Sequence, residues 1–412
     1  VSVANLNTLY GRTNVKRIDT TQSTLSGTAA DYVTLKDDVD SGTADKINLK
    51  SNPTITFSDA VNTNTHGDAI TTLAQKTSGN FTFSSTFNVN NAYTINTTTN
   101  SAQNYTISGA LSISADLTIP NGYSGVFKAS STTTQTGGTV DIAGAEFNAV
   151  GAVTTSGGTI KVNAGKFNYD STLTISGGKV QYVSGTWDDS TSDVAVSSGT
   201  LDIDADLSID GKIKLSGTGT LDVASGKTLT CDDNLEYGAG TITNNGTIAM
   251  SASKTLDINA AITMTTGTIE LKNNSILDIA ANASINKLTF SGTNATLTLN
   301  DKTLTQTGDA IEFGASKTIS ISSGTITNTN AIKLDTSTLK LTGNLTLSNN
   351  GGLDINGDCT INLQSNNLVY QDSGNLDIDG NTLTLEGTGR FQNAGNLRFN
   401  NANSKLTISN AS

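Results

Sequence analysis

The chain has 412 residues, a formal net charge of -12, 35% hydrophobic residues and 5% aromatic residues. Its acidic balance disfavours nucleic acid as a partner, because phosphate neutralisation needs clustered cations and the four arginines form no basic stripe: Arg12, Arg17, Arg390 and Arg398. No stretch of eighteen apolar residues occurs, so no membrane span is predicted. Forty glycines and only two prolines favour many short strands joined by polar turns.

Residues 1–50 differ in composition from the rest of the chain. They hold much of the basic charge and a cluster of aspartates, Asp31, Asp37, Asp38, Asp40 and Asp45. This change predicts an amino-terminal cap, a docking segment or the boundary of a neighbouring module. The chain starts at Val1 without a charged and then apolar leader, which predicts a processed product or a piece of a longer polypeptide.

Residues 51–136 keep the alternation of strands with less regular spacing, as in "FTFSSTFNV" at 81–89. They are predicted to form irregular coils with longer loops. The only histidine, His66 in "NTHGDA", is expected in a solvated turn. Helix-forming runs rich in Ala, Leu, Glu and Lys are nearly absent from the whole chain.

Residues 137–412 repeat a phrase with a period of about twenty residues. The phrase reads "GGTVDI" at 137–142, "GGTIKV" at 157–162, "GGKVQY" at 177–182 and "SGTLDI" at 198–203. Two further series of apolar-x-apolar pairs recur between these phrases. Three strand-like pieces per period are typical of a coil with three sides and not of a hairpin meander.

The phase of the repeat holds to the last residues of the chain. One column of apolar residues reads Ile213, Leu235, Leu256, Leu277, Leu297, Ile319, Leu339, Ile361, Leu383 and Leu406, with steps of mostly 20 to 22 residues. Side chains alternate along a strand, so each pair buries two aliphatic residues and turns the residue between them outward. The predicted fold is an all-β, three-sided, right-handed parallel β-helix, since parallel crossovers are right-handed and the left-handed hexapeptide period is missing.

Six aspartates occupy the outward position of apolar-Asp-apolar pairs: Asp202, Asp222, Asp257, Asp278, Asp354 and Asp377. The columns predict three neighbouring couples, Asp202/Asp222, Asp257/Asp278 and Asp354/Asp377, at about 5 Å between backbones. Such couples repel or attract a cation such as Ca²⁺. The preferred interpretation is that they extend into water, because strand-borne pairs lack the further ligands of a Ca²⁺ site.

The remaining candidates point to structure. Trp187 aligns with Phe147 and Phe167, which favours an aromatic core column over a sugar platform. Cys231 and Cys359 are each expected to point inward and to remain unbonded, since they lie about six coils apart.

A polysaccharide lyase or hydrolase is the enzymatic alternative, because paired carboxylates are plentiful, including Asp188/Asp189 and Asp232/Asp233. Enzymes on this scaffold grow long loops that wall a cleft, whereas residues 137–412 keep short turns. The sequence therefore predicts no enzyme, no catalytic residue and no cofactor site.

The Gly-Thr-Leu-x-Ile phrasing and the turns rich in Ser, Thr and Asn resemble the β-helical stalks of bacterial surface proteins. These are filamentous-haemagglutinin-type adhesins and autotransporter passenger domains, and the resemblance covers roughly residues 80–412. It implies a secreted rod displayed at the cell surface for adhesion, spacing or filament formation.

The end of the repeat supplies the functional hypothesis. The sequence stays in register at Leu397, Leu406 and Ile408, so either the natural chain continues or this end meets another subunit, because an uncovered last coil presents unpaired backbone groups to other chains. The leading prediction is a structural protein of an extracellular filament, in which residues 1–50 dock on the open coil of the next copy. The alternatives are a monomeric stalk that binds surface glycans or host surfaces, and the lyase or hydrolase.

Overall fold

The computed structural model describes residues 2–12, 17–39, 47–349, 351–371, 375–393 and 395–409. Asp40 and Asp45 of the acidic cluster lie outside these residues. The predicted parallel β-solenoid is confirmed: the chain forms about 15 turns of roughly 21 residues and is 7% helix. Its right-handed winding and three-sided section stay predictions, as does the division at residues 50 and 136. Two compact units form, Val1–Asp204 and Ala205–Ser412.

The amino-terminal unit contains helices that the composition did not predict: α1 (Val3–Tyr10), α2 (Ala29–Leu35) and α3 (Thr63–Lys76). Helix α2 begins with a capping box, in which the Thr28 hydroxyl accepts from the Asp31 N–H and the Asp31 carboxylate accepts from the Thr28 N–H. His66 lies within α3, so its expected place in a solvated turn is wrong. Its Nδ1 accepts the Asn62 N–H at 3.0 Å and satisfies one of the donors at the helix start.

The strands described in the amino-terminal unit are β1 (Ile18–Thr20), β2 (Thr24–Gly27), β3 (Ile47–Leu49), β4 (Thr54–Phe57), β5 (Val61–Asn62), β6 (Phe81–Phe83), β7 (Phe87–Val89), β8 (Tyr93–Thr94), β9 (Tyr105–Ile107), β10 (Leu111–Ile113), β11 (Leu117–Ile119), β12 (Val126–Ala129), β13 (Thr133–Gln135), β14 (Thr139–Ile142), β15 (Glu146–Ala149), β16 (Val153–Thr155), β17 (Thr159–Tyr169), β18 (Leu173–Ile175), β19 (Lys179–Asp188), β20 (Val194–Val196) and β21 (Thr200–Ile203).

The strands described in the carboxy-terminal unit are β22 (Leu207–Ile209), β23 (Ile213–Leu215), β24 (Thr220–Val223), β25 (Thr228–Cys231), β26 (Leu235–Tyr237), β27 (Thr241–Asn244), β28 (Thr247–Met250), β29 (Thr255–Ile258), β30 (Ile262–Thr263), β31 (Thr268–Leu271), β32 (Ser275–Ile279), β33 (Ala283–Ile285), β34 (Lys287–Phe290), β35 (Asn294–Thr298), β36 (Thr303–Gln306), β37 (Ile311–Phe313), β38 (Thr318–Ile321), β39 (Gly324–Asn328), β40 (Ile332–Leu334), β41 (Thr338–Leu341), β42 (Leu345–Asn349), β43 (Leu353–Ile355), β44 (Cys359–Asn362), β45 (Leu368–Tyr370), β46 (Leu376–Ile378), β47 (Thr382–Glu386), β48 (Phe391–Asn393), β49 (Leu397–Phe399) and β50 (Lys405–Ser409).

Parallel ladders join each strand to its equivalent one coil later. In the amino-terminal unit one ladder runs from β2 through β4, β6, β9, β12 and β15 to β17, a second from β5 through β7, β10, β13, β16 and β18 to β20, and a third from β8 through β11 and β14 to β17. Strands β17 and β19 run through the corner between the first and third ladders. Each coil therefore contributes strands to three ladders.

In the carboxy-terminal unit one ladder continues from β23 to β50, and it corrects the register predicted from the columns. Leu297 pairs with Ile321 and not with Ile319, and Ile361 pairs with Leu385 and not with Leu383. Both errors are shifts of two residues. Because strand side chains alternate with a period of two, such a shift keeps the same face inward and leaves the apolar pattern unchanged.

The repeated phrase of the sequence has the predicted roles. Ile160 and Val162 are buried and pair with Val180 and Tyr182 of the next coil. Phe147, Phe167 and Trp187 are also register partners, which confirms the aromatic column. Trp187, the last residue of this column, is only half-buried. Among the aromatic neighbours of Trp187, the Phe167 ring lies 5.5 Å away, edge-on.

Both cysteines are buried and unbonded, as predicted. Cys231 pairs in its ladder with Met250, and Cys359 pairs with Leu383. Burial raises the pKa of the Cys231 thiol to about 12, and it also raises the pKa of Cys359. The thiols therefore behave as small apolar side chains of the core.

Candidate functional site

The last coil that the structure describes is open on one side. Strands β48, β49 and β50 each pair with the strand one coil earlier, and within the described residues no strand pairs with their other edge. The coil keeps the alternation of the repeat, so its inward positions are still apolar. We call β48, β49 and β50 the open coil.

The exposure of these inward residues shows what a further layer would cover. Ile378 of β46 is 0% exposed, whereas its ladder partner Phe399 is 50% exposed. Leu385 is 8% exposed, and its partner Ile408 is 64% exposed. The same kind of residue is therefore buried one coil earlier and open to water here.

The open coil contributes Leu397 and Ile408 to the lining of a cavity of about 480 Å³. Its apolar lining comes from the last two coils: Leu363, Leu376, Leu383, Leu385, Phe391, Leu397, Leu406 and Ile408. Across the part of the chain that the structure describes, the only large apolar residues that are exposed are Leu9, Leu397, Phe399 and Ile408. Three of these four belong to the open coil, so apolar exposure is concentrated there and on α1.

The rim of the open coil is positively charged, in contrast to the chain as a whole. The sequence after Glu386 contains Arg390, Arg398 and Lys405 and no Asp or Glu, while the complete chain carries a net charge of -12. The side chain of Arg398 is 50% exposed, with its Nε 4.0 Å from the Asp377 carboxylate. The open coil thus combines an apolar cavity with exposed cations.

The aspartate couples predicted from the columns exist within the carboxy-terminal unit. Asp257 pairs with Asp278, and Asp354 pairs with Asp377. Burial, and then the neighbouring Asp377 carboxylate, raise the pKa of Asp354. Burial is also the main cause that raises the pKa of Asp278, while the amide of Asn300 donates to this carboxylate at 2.7 Å and opposes the shift.

The third predicted couple divides between the units. Asp202 belongs to the amino-terminal unit and is 8% exposed, so it does not extend into water. Its carboxylate forms an ion pair with the Lys179 ammonium at 2.7 Å. Asp222 belongs to the carboxy-terminal unit, where it lies opposite Thr243.

The donor set around the Asp354/Asp377 couple suits ion pairing better than a metal. In the ladder that contains Asp354 and Asp377, the flanking positions are held by Lys333 and Arg398. A Ca²⁺ ion takes six to eight oxygen ligands, which a carboxylate couple between two cations does not supply. In the described ranges, no three His, Cys, Asp or Glu side chains gather closely enough to hold a metal ion.

The carboxylates named for the enzymatic alternative are engaged by neighbouring side chains. Asp188 forms an ion pair with Lys166 at 2.8 Å, and Asp233 forms one with Lys254 at 3.1 Å. Asp232 accepts hydrogen bonds from the hydroxyls of Ser208 and Ser251 on the adjoining coils. These pairs tie coil to coil, which is a structural use of the acidic side chains.

Two surface grooves were not predicted from the sequence. One has a volume of about 660 Å³ where the ladder is interrupted between β34 and β37, and its lining includes Lys287, Asp309, Glu312 and Lys333. These form two ion pairs, Lys287 with Asp309 at 2.9 Å and Lys333 with Glu312 at 3.0 Å. The interruption leaves the regular spacing of the apolar residues unchanged, so the sequence carries no signal for it.

The second groove, of about 530 Å³, lies on the amino-terminal unit. It follows the outward side chains of successive coils, including Thr82, Asn104, Thr106, Lys128 and Asn148. Thr82, Thr106 and Asn148 each lie between two buried residues of their strands. Their alignment into one polar strip follows from the stacking of the coils.

No protein-family model, no curated protein and no solved structure matches this chain. The fold and the repeat define its class by themselves: it is a β-solenoid repeat protein of stacked parallel coils. Of the helices that the structure describes, none has the length and apolar character needed to cross a membrane.

Proposed function

We propose that this protein is a structural subunit of an extracellular surface filament, in which copies associate end to end through the open coil. The observation that carries the proposal is the exposure of Leu397, Phe399 and Ile408 on the open coil, two of which, Leu397 and Ile408, line its apolar cavity. Edge strands with unpaired backbone groups are sites of association unless something covers them. The resemblance of the repeat to bacterial surface stalks supports the extracellular location, and the engaged carboxylates support a role without catalysis.

The magnitude of the apolar term indicates how strong the association is. Complete burial of a Leu, Ile or Phe side chain contributes about 1.5–3 kcal/mol, so covering three side chains that are about half exposed contributes on the order of 2–5 kcal/mol. Association costs about 4–15 kcal/mol of translational and rotational freedom. Apolar burial alone does not offset this cost, so polar and charged contacts have to contribute and the association is expected to depend on concentration.

Sedimentation and electron microscopy of the intact chain test the proposal, over protein concentrations up to about 1 mM. The test variant is Phe399→Ser combined with Ile408→Ser, which reduces the apolar surface without changing the charge. The matched control is Gln392→Ser, on an exposed position of the same coil. We expect the wild type and the control to assemble and the double variant to stay monomeric with an unchanged circular dichroism spectrum. Monomers at every concentration, or assembly of all three proteins, would overturn the proposal.

A monomeric adhesin that binds glycans is the second candidate, and the polar groove of the amino-terminal unit favours it. Groups such as Asn104, Thr106 and Lys128 offer donors and acceptors along one strip. Lys128→Ala combined with Asn104→Ala should then lower glycan binding and leave sedimentation unchanged. A glycan array that shows no difference between this variant and the wild type refutes the adhesin candidate.

A further inference from the structure

We infer that the surface which covers the open coil is the helical layer of another copy, defined here as α1, α2 and α3. This inference rests on the proposed end-to-end association and names its second surface. Natural proteins often cover an exposed sheet edge with a helix. The helical layer presents a surface of the required chemistry, with one exposed apolar residue and a group of carboxylates.

The apolar part of the match is on α1. Leu9 is 39% exposed and is the only large apolar residue outside the open coil, among the residues described, that is exposed to this degree. Val3 and Leu6 of the same helix are buried, and α1 contains no charged residue. The helix therefore offers Leu9 on a neutral surface, which can lie against Leu397, Phe399 and Ile408 without burying a charge.

The charged part of the match is on α2, α3 and the chain next to them. The Lys36 ammonium lies 2.8 Å from the Asp37 carboxylate and 2.8 Å from the Asp68 carboxylate, and both acidic side chains are 75% exposed. One ammonium between two carboxylates leaves this group with a net negative charge. Asp31, Asp38 and Asp59 add three further carboxylates to the helical layer and its surroundings, and Lys76 at the end of α3 adds one ammonium, so carboxylates remain in excess. The rim of the open coil carries the opposite charge.

The helical layer is firmly attached to its own unit, so it can bind a second copy without unfolding. The Tyr32 ring of α2 lies 4.4 Å from the Phe57 ring, and its hydroxyl donates to the Leu25 carbonyl at 2.6 Å. The Asn7 amide of α1 donates to the Asp31 carbonyl at 3.0 Å. A preformed surface avoids the entropy cost of ordering a segment on binding.

Charge also disfavours the symmetric alternative, in which two open coils meet face to face. Such an interface would bring Arg390, Arg398 and Lys405 of one copy against the same three cations of its partner copy. Like charges brought together across an interface oppose association and suppress the wrong pairing. The contact between an open coil and a helical layer is heterologous, so it can repeat from copy to copy.

Reciprocal charge reversal tests this inference. The first variant carries Arg398→Glu and Lys405→Glu, and the second carries Asp37→Lys and Asp68→Lys. Each variant alone should assemble with an apparent dissociation constant about tenfold or more above that of the wild type, because two attractive pairs become repulsive. An equimolar mixture should recover assembly, because each reversed surface then meets a complementary one.

Controls separate this result from loss of folding and from failure of the proposed function. Asp37→Asn with Asp68→Asn removes the charges without reversing them, and the fluorescence of Trp187 and the thermal midpoint report whether each variant folds. The wild-type assembly should weaken as salt rises, because the cations and carboxylates concerned are exposed. The inference is overturned if neither charge reversal weakens assembly, or if the equimolar mixture of the two variants does not recover assembly. Binding of an anionic polysaccharide that is lost in the first variant while assembly persists would also overturn it. The Phe399→Ser and Ile408→Ser result decides the filament proposal independently.

Discussion

Replacing Gly158 with alanine should destabilise the amino-terminal unit because the turn leaves no space for a side chain. Gly158 has φ 75°, and the equivalent residues one coil before and after it, Gly138 and Gly178, have φ 64° and 66°. A Cβ atom at Gly158 would lie 2.3 Å from the Gly138 carbonyl oxygen and 2.6 Å from the Gly137 carbonyl carbon. Both are backbone atoms of the neighbouring coil, so relief requires the two coils to separate at this corner.

Gly122 provides the matched control. Its φ is 89°, also in the left-handed region, but a Cβ atom there would meet nothing within 4 Å. The left-handed conformation is unfavourable for an alanine by about 1–2 kcal/mol. Alanine also lowers the conformational entropy of the unfolded chain, which stabilises the folded state by about 0.4–1 kcal/mol. Gly122→Ala should therefore lower the free energy of unfolding by at most about 1.5 kcal/mol. Gly158→Ala adds the cost of overpacking, about 1–3 kcal/mol, for a total of about 2–4 kcal/mol.

Urea unfolding followed by tryptophan fluorescence measures the difference. Trp187 is the only tryptophan in the chain and lies on β19, which pairs directly with β17 next to Gly158. In a repeat protein each coil is stabilised mainly by its neighbours, so this probe reports on the coils that the substitution affects. Equal losses in Gly158→Ala and Gly122→Ala would refute the reasoning, because they would show that backbone conformation and not the close approach of the coils sets the cost.

Three further predictions concern the core and the titrating groups. Phe167→Ala should cost about 3–5 kcal/mol and Phe167→Leu no more than about 1.5 kcal/mol in the same urea assay; equal costs would contradict tight packing of the aromatic column. The pKa of Asp354 is raised by burial and by Asp377, so its charge destabilises the fold as pH rises. The Asp354→Asn variant should therefore have a higher free energy of unfolding than the wild type at pH 7, but not at pH 3. The pKa of His66 is lowered by burial, so the free energy of unfolding of the wild type should fall as pH falls below about 6.5. The His66→Gln variant should not show this loss. Parallel pH profiles of the two proteins would contradict the prediction.

The sequence predicts the coil and its inward face but not the register of every strand. The pair Ile319 and Ile321 shows the reason: both point inward, and only the hydrogen-bonded ladder selects Ile321 as the partner of Leu297. Alternation has a period of two, so an alignment that is wrong by two residues buries the same chemical groups. Turn lengths fix the register, and these differ from coil to coil without changing the apolar columns.

The sequence did not predict the helices, and the reason is different. Helix α3 contains four threonines, an isoleucine and Gly67, which are weak helix formers, and its stability comes from the buried side chains of Ile70 and Leu73. Helix α2 has seven residues and is held by the packing of Tyr32. Its capping box, Thr28 with Asp31, was readable in the sequence, but a single cap without a periodic apolar face does not identify a helix.

The chemistry of the outward side chains was only partly predictable. The columns identified Asp354 and Asp377 as neighbours, because register along a ladder follows from the repeat. They did not identify Lys179 as the partner of Asp202, since that contact joins different positions of adjacent coils across 23 residues. Contacts of this kind depend on the position of each turn and on the length of each side chain, and neither appears as a periodic signal.

The repetition of the coil explains why association is proposed at an end and not along a side. Along the ladders each strand satisfies the backbone of the next, and charged side chains find partners one coil away, as Lys333 does with Glu312. At the open coil, within the described residues, no strand pairs with the outer edge of β48, β49 or β50, so apolar side chains are exposed there together with cations such as Arg398, which is 50% exposed beside Asp377. Because the apolar term is small relative to the cost of association, the charged contacts have to contribute to its strength as well. We therefore expect assembly to respond more to salt and to charge reversal than to substitutions on the sides of the coils.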